Sequence, residues 1–225
     1  MWIALQRSVV ACRRCPRLVE HRERIAQERR RAYRDWSYWG RPLPGFGDPA
    51  ARLVVVGLAP AAHGGNRTGR IFTGDRSGDF LYATLHRFGF ANQPSSDHRD
   101  DGLQLTDAYV TAAARCAPPD NKPTREELSN CQPYLEAELG LLRRIRVVVA
   151  LGRVAFDAYL AARAAAHQVA LTPRPQFGHG RHYDLPGLAL IGSYHPSQRN
   201  TQTGLLTQKM FDAVFATARR LIERG

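Results

Sequence analysis

The chain has 225 residues, 44% of them hydrophobic, enough for one sizeable α/β domain with a real core. No apolar run approaches the roughly 20 residues of a membrane span. The opening stretch MWIALQRSVVACRRCP lacks the basic start, long apolar middle and small-residue cleavage site of a signal peptide. The expectation is a cytoplasmic monomer with no membrane partner. Net charge is +12, which favours a polyanion, with nucleic acid the default. Thirty of the 32 basic residues are arginine, Lys122 and Lys209 being the exceptions. A GC-rich coding bias explains the choice of arginine, but not the excess over 20 acidic residues.

In chain order, residues 9–36 predict two helices with a dense basic face, and the run RERIAQERRR reads as a solvated helix face. A Pro/Gly-rich loop, WGRPLPGFGDPAAR, follows. Four short apolar runs come next: LVVVG, AYVTAAARC, VVVALG and LALIGSY. Continuous apolar runs of this length suit strands of a parallel sheet buried on both faces. Helical patterns alternate with them: SGDFLYATLHRFG, TREELSNCQPYLEAELGLLRR, RVAFDAYLAARAAAH and TGLLTQKMFDAVFATARRLIER. The second opens on Thr124 with Glu127 three residues on, a capping-box signature. The polar stretch ANQPSSDHRDDG reads as an exposed loop. Strand–helix alternation predicts a parallel sheet with helices on both sides. Residues 1–225 form a single domain in this reading, with a helical and loop segment over 1–50 and an α/β core over 51–225.

The loops after three of the runs carry the chemistry: APAAHGGNRTGRIFTGD, CAPPDNKP and HPSQRNTQTG. Open parallel sheets bind ligands at the carboxyl ends of their strands. Asp75, Asn121 and His195 are therefore expected at one sheet edge. The glycine-rich loop contains neither G-x-G-x-x-G nor G-x-x-x-x-G-K-[ST], so a Rossmann or P-loop reading fails and no nucleotide cofactor is expected. Phe72, flanked by Gly69 and Gly74, is poorly placed for a core and offers a flat face for a planar ligand. Asp75 also suits the N-cap of the helix behind it, and both roles are compatible. His195 precedes Pro196, which fits either a fixed, positioned side chain or a satisfied histidine at a strand end.

Cys12 and Cys15 form C-x-x-C, whereas Cys116 and Cys131 stand apart. Four cysteines in a cytoplasmic chain favour metal or redox chemistry over disulfides. One knuckle is half a zinc ribbon, and one tight pair with two separated cysteines also suits a [4Fe–4S] cage. Either would staple the N-terminal helices to the sheet, in a structural role.

The motifs GLAPAAHGGNRTGRIFTGD, RCAPPDNKPT and SYHPSQRNTQTG, in this order, resemble uracil-DNA glycosylase family 5, and the likeness extends to the N-terminal C-x-x-C and the WGRPLPGFGDP loop. The resemblance implies a three-layer α/β/α fold around a four-stranded parallel sheet, with a structural [4Fe–4S] cluster on Cys12, Cys15, Cys116 and Cys131. It implies catalytic roles for Asp75, Asn121 and His195. A base pocket of Gly57, Leu58, Ala59, Phe72, Asn121 and His195 is expected, together with DNA contacts from Asn66, Arg67, Ser197, Arg199, Asn200, Thr201 and Gln202. The sister family 4 has Glu where this chain has Leu58, and Asn shortly before the third cysteine where this chain reads AAARC; both departures loosen the expected selectivity for uracil. The expected partner is DNA containing uracil or other deaminated bases such as hypoxanthine, and the expected reaction is hydrolysis of the N-glycosidic bond. The competing readings are a non-catalytic iron–sulfur module that grips nucleic acid by its backbone and, less favoured by the missing phosphate motifs, a nucleotide-binding α/β enzyme.

Overall fold

The computed structural model describes residues 1–167 and 172–224. The four apolar runs all form strands: β2 (Leu53–Gly57), β3 (Ala108–Ala112), β4 (Val147–Leu151) and β6 (Leu188–Ser193). They lie in the order β3-β2-β4-β6 and are mutually parallel, with Val55 opposite both Val110 and Val149, and Val149 opposite Ile191. Every residue of β2, β3 and β4 is buried, which is why these runs read as continuously apolar.

The sheet is wider than the four strands expected. Two antiparallel strands flank it, β1 (Phe46–Gly47) beside β3 and β5 (His182–Leu185) beside β6, giving six strands in the order β1-β3-β2-β4-β6-β5. Neither carried an apolar signal. β1 is two residues inside the Pro/Gly-rich stretch, and β5 is a half-exposed edge whose side chains alternate between solvent and protein.

Helices α4 (Arg76–Arg87) and α8 (Gln208–Arg224) cover one face, where Leu81, Leu85, Phe211 and Phe215 meet Leu53, Val55, Val110, Val149 and Ile191. The helices α5 (Arg125–Leu141) and α6 (Arg153–His167) cover the other, where Leu135, Phe156 and Tyr159 meet Val54, Val56, Val148 and Leu190. Each fully buried aliphatic side chain contributes about 1.5–3 kcal/mol of transfer free energy, so two such layers hold the sheet between them. The capping box forms as expected, Glu127 N–H donating to Thr124 Oγ1 and Thr124 N–H to Glu127 Oε2.

Two helices precede the sheet, α1 (Trp2–Val10) and α2 (Pro16–Glu28). α1 rests on the sheet through Trp2, whose ring lies 5.3 Å from that of Tyr109. α2 is fastened by Arg17, whose Nε and Nη2 donate to Glu127 at 2.8 and 2.7 Å. Arg22, in the run read as a solvated face, is 2% exposed and turns inward. The stretch leading to β1 is pinned by Glu138, buried against Arg115, which accepts from the Gly45 N–H at 2.9 Å. Among the described residues no helix is long and apolar enough to cross a membrane.

Candidate active site

The loops leaving β2 and β6 carry two short helices, α3 (Gly65–Thr68) and α7 (Gln198–Gln202), and the loop leaving β3 carries a 3-10 turn at Pro119–Asn121. Parallel strands bring all three loops to one edge, and between them lies a cavity of about 530 Å³. It is lined by Leu58, Ala59, Ala61, Phe72, Asp75, Arg76, Ser77, Asn121, His195, Ser197, Gln198 and Arg199. That volume is in the range of small-molecule sites and accommodates a single planar base. A larger, shallower groove of about 990 Å³ runs between α1, α2 and Trp39, away from the strand ends, and brings together no comparable set of acid, base and amide groups.

Asp75 caps α4. Its Oδ1 accepts from the N–H groups of Ser77 and Gly78 at 2.9 and 3.0 Å, so the N-cap foreseen for this residue forms while the residue also lines the pocket. The other oxygen, Oδ2, packs on the backbone of Gly64: a Cβ at residue 64 would fall 2.0 Å from it. Only glycine leaves the carboxylate this room. The residue keeps an exposed edge on the pocket, but its carboxyl is enclosed by protein, and burial pushes it above the usual carboxylate range against the pull of the two N–H groups and of Arg67. A carboxylate with a raised proton affinity, facing a pocket, is a better base than one in water.

Burial alone holds the His195 imidazole down at about 4, so the ring is neutral at physiological pH. Its backbone carbonyl accepts from Asn200 Nδ2 at 2.9 Å, fixing the turn at Pro196. Phe72, read from the sequence as poorly placed for a core, is 7% exposed and belongs to the core beneath α4 and α8, because the loop folds back over the sheet edge; there it stacks on the His195 ring at 5.7 Å between centroids and 28° between planes, and the two form one aromatic wall. Phe72 adopts a left-handed backbone, φ 52°, a conformation that costs a bulky residue about 1–3 kcal/mol. Gly57 completes the fit, since a Cβ there would lie 2.5 Å from the Phe72 ring. Asp120 and Asn121 are both left-handed as well, φ 52° and 56°, in a turn that brings Asn121 to the pocket.

Two expected DNA contacts are withdrawn from the surface. Asn66 and Arg67 are 1% and 4% exposed. Asn66 Nδ2 donates to the Arg22 carbonyl, and Arg67 is enclosed by its own loop and by aromatic rings from residues 33–36. Both brace the loop from within instead of facing a ligand. Ser197 and Arg199 reach the pocket and Gln202 is exposed, while the Asn200 side chain and the Thr201 hydroxyl hydrogen-bond within their own loop. The sequence reading missed Ala61, Arg76, Ser77 and Gln198 as lining residues. Their signal was adjacency: Arg76 and Ser77 directly follow Asp75, and Gln198 sits between two residues already singled out. It also missed Leu205, 49% exposed at the rim just after α7.

The four cysteines are unpaired and line one small cavity with Arg22, Arg115 and Asn130. Arg22 Nη1 donates to Cys116 Sγ at 3.0 Å and Asn130 Nδ2 to Cys15 Sγ at 3.5 Å, donors suited to sulfur that carries negative charge. Burial pushes the Cys116 thiol up to about 12, so a cation would be needed to hold it as thiolate. The donor set fits a group held by four sulfurs. Among the described residues, however, no group of three or more His, Cys, Asp or Glu side chains is arranged to hold a metal ion.

The fold is an α/β sheet with a parallel core, and its strand-end loops enclose one pocket lined by a buried carboxylate and a neutral histidine. Residues 44–219 match the family described as the Uracil DNA glycosylase superfamily. The chain is 54% identical over 222 residues to a type-5 uracil-DNA glycosylase of Thermus thermophilus, covering 97% of each chain. It is 51% identical over 215 residues to one of Mycobacterium tuberculosis, covering 95% of this chain and 79% of the relative. A type-4 uracil-DNA glycosylase of Pyrobaculum aerophilum is 32% identical over 119 residues, about half of either chain. This chain belongs to the uracil-DNA glycosylase superfamily, within its type-5 branch.

Proposed function

We infer that this chain removes uracil from DNA by hydrolysing the N-glycosidic bond, leaving an abasic site as the first step of base excision repair. The observation that carries the reading is the meeting of Asp75 and His195 in one base-sized pocket at the carboxyl edge of the sheet. The target bond is shielded in a duplex, so the nucleotide must swing out, at a cost of a few kcal/mol that a mispaired base reduces. In the pocket the base lies against the wall of Phe72 and His195, its edge read by Asn121 and by the backbone at Leu58 and Ala59. As the C1′–N1 bond breaks, negative charge grows on the base. A neutral, preorganised His195 N–H stabilises it without the pocket having to reorganise. The sugar becomes cationic at C1′. The Asp75 carboxylate stabilises that cation and orients water, whose oxygen bonds to C1′ while its proton passes to the departing base by way of the site.

The pocket carries no carboxylate at residue 58, where Leu58 stands, and this supports a wider range of substrates that includes hypoxanthine. The α7 loop, with Ser197, Arg199 and Gln202 and the exposed Leu205 beyond it, is the surface that would meet DNA and fill the space the base vacates. Cys12, Cys15, Cys116 and Cys131 would hold a [4Fe–4S] cluster, which when bound supplies a cross-link between the N-terminal helices and the sheet. The protein acts as a cytoplasmic monomer in this reading.

The test is incubation with a labelled duplex holding one G·U pair, followed by alkali to cut abasic sites. Wild-type protein should release free uracil, and Asp75→Asn should bind the duplex yet release base more slowly by a factor on the order of 10² or more. Wild-type protein that binds DNA and never frees a base would leave the non-catalytic binding module as the better description.

A further inference from the structure

We propose that Arg67 is a positioning residue for Asp75: its guanidinium, packed against two aromatic rings of the N-terminal segment, braces the backbone carbonyl that directly precedes the carboxylate. This rests on the glycosylase reading above and adds a residue to its machinery.

The geometry is unusually constrained for an arginine. The guanidinium carbon lies 3.9 Å from the centre of the Tyr33 ring and 4.1 Å from that of Trp36. Arg67 Nε donates to the His63 carbonyl at 2.7 Å and Nη2 to the Gly74 carbonyl at 2.8 Å. One side chain thus ties together two points of the pocket loop, just before the Gly64 that makes room for Asp75 and just before Asp75 itself. Gly74 is left-handed, φ 77°, and a Cβ there would sit 2.5 Å from Arg67 Nη2, so the approach needs glycine. The third nitrogen, Nη1, is buried with no protein partner among the described residues. The two rings stand at 78° to each other with centroids 6.2 Å apart, so the guanidinium sits in the corner they form; a planar fork held there does what a lysine cannot, fixing two carbonyls at a set spacing.

That charge bears on Asp75, where burial works against the ionised form and Arg67 works for it. The other charged or titratable groups around the carboxylate are Arg76, Arg199 and His195 in the pocket, with Asp79 and Tyr82 on α4. His195 stays neutral above about pH 4. Protonation of Asp75 removes the working carboxylate, so rate is lost as pH falls through its raised pKa. Removing the Arg67 charge raises that pKa further, so this acid limb moves to higher pH.

The experiment is single-turnover uracil release across pH, with DNA affinity measured in parallel at two salt concentrations. Arg67→Met should slow release at neutral pH at least tenfold and shift the acid limb upward, with DNA affinity within twofold of wild type. Arg67→Lys should return the limb toward its wild-type position while leaving the rate reduced. A uniformly lowered rate with an unmoved limb would make Arg67 a purely structural brace and overturn the proposal. So would weaker DNA binding with a shallower salt dependence, the mark of a phosphate contact. Should Arg67→Met fail to fold, Trp36→Leu removes one ring and keeps the charge; it should slow release several-fold at saturating DNA with KM unchanged, and an unaltered rate defeats the proposal. Inactive wild-type protein would count against the glycosylase reading, whereas active wild type with an indifferent Arg67→Met counts only against the role of Arg67.

Discussion

The pocket works through glycines as much as through its named side chains. Gly57 admits the ring of Phe72, Gly64 admits Asp75 Oδ2, and Gly74 admits the Arg67 guanidinium. Gly64→Ala should therefore turn the Asp75 carboxylate out of its seat and slow uracil release by a factor on the order of 10², the scale of a lost acid–base group. Gly140→Ala is the matched control. It lies in α5 with open space where the methyl would go, so it should leave the rate alone and raise stability by about 0.5–1 kcal/mol in a urea titration. Single-turnover rates with far-UV circular dichroism for both variants decide the matter; equal losses of rate would mean that steric room at residue 64 is not what seats the carboxylate. Such glycines are visible in the sequence only as a loop rich in glycine. Which atom each one faces depends on how the loop folds back on itself, a matter of three-dimensional path that composition does not carry. The same limit explains Arg67. A charged residue in a polar loop reads as exposed, and what buries it is a pair of rings more than thirty residues earlier in the sequence. Asp75, Phe72, Asn121 and His195 were legible because each sits on a loop after a readable strand, where the topology decides the location.

At the level of elements, the parallel core declared itself and the edges did not. Strands buried on both faces must be apolar throughout, so β2, β3, β4 and β6 stood out. A two-residue edge such as β1 and an alternating one such as β5 leave no comparable trace. The capping box at Thr124 was equally legible, since its chemistry is confined to four residues. The junction of the N-terminal helices with the pocket loop was not. Arg22 of α2 donates from its side chain to Cys116 Sγ, while its backbone carbonyl receives Asn66 Nδ2 from α3. The cysteine cavity and the pocket loop thus share one residue. Anaerobically purified protein should show broad visible absorbance with about four irons per chain, as a [4Fe–4S] group requires. Cys116→Ser should lose that colour and melt at lower temperature. A colourless wild-type protein carrying one zinc would replace the cluster with a single-ion site.

For the whole molecule, the excess of arginine resolves into two populations. Some guanidinium groups are interior fittings: Arg22, Arg67, Arg70 and Arg115 are each 4% exposed or less and hold carbonyls, carboxylates or sulfur. The remainder carry the surface charge that suits a polyanion. Net charge in a sequence cannot separate the two, because burial is a property of the fold.

Every side chain that lines the pocket comes from residue 58 onward, while Arg22, Tyr33 and Trp36, which hold its loop, all come from the first forty. Covalent continuity between these two lengths should therefore be dispensable, and their association should not. A protease site opened in the exposed turn at Pro49–Ala50 should give a nicked enzyme that keeps its rate while both pieces co-elute. Stripping away the shorter piece with denaturant should silence the longer one, and adding it back should restore uracil release. The first forty-nine residues, β1 included, would then be a detachable splint, and the repair enzyme a natural candidate for splitting into two pieces that wake only when brought together.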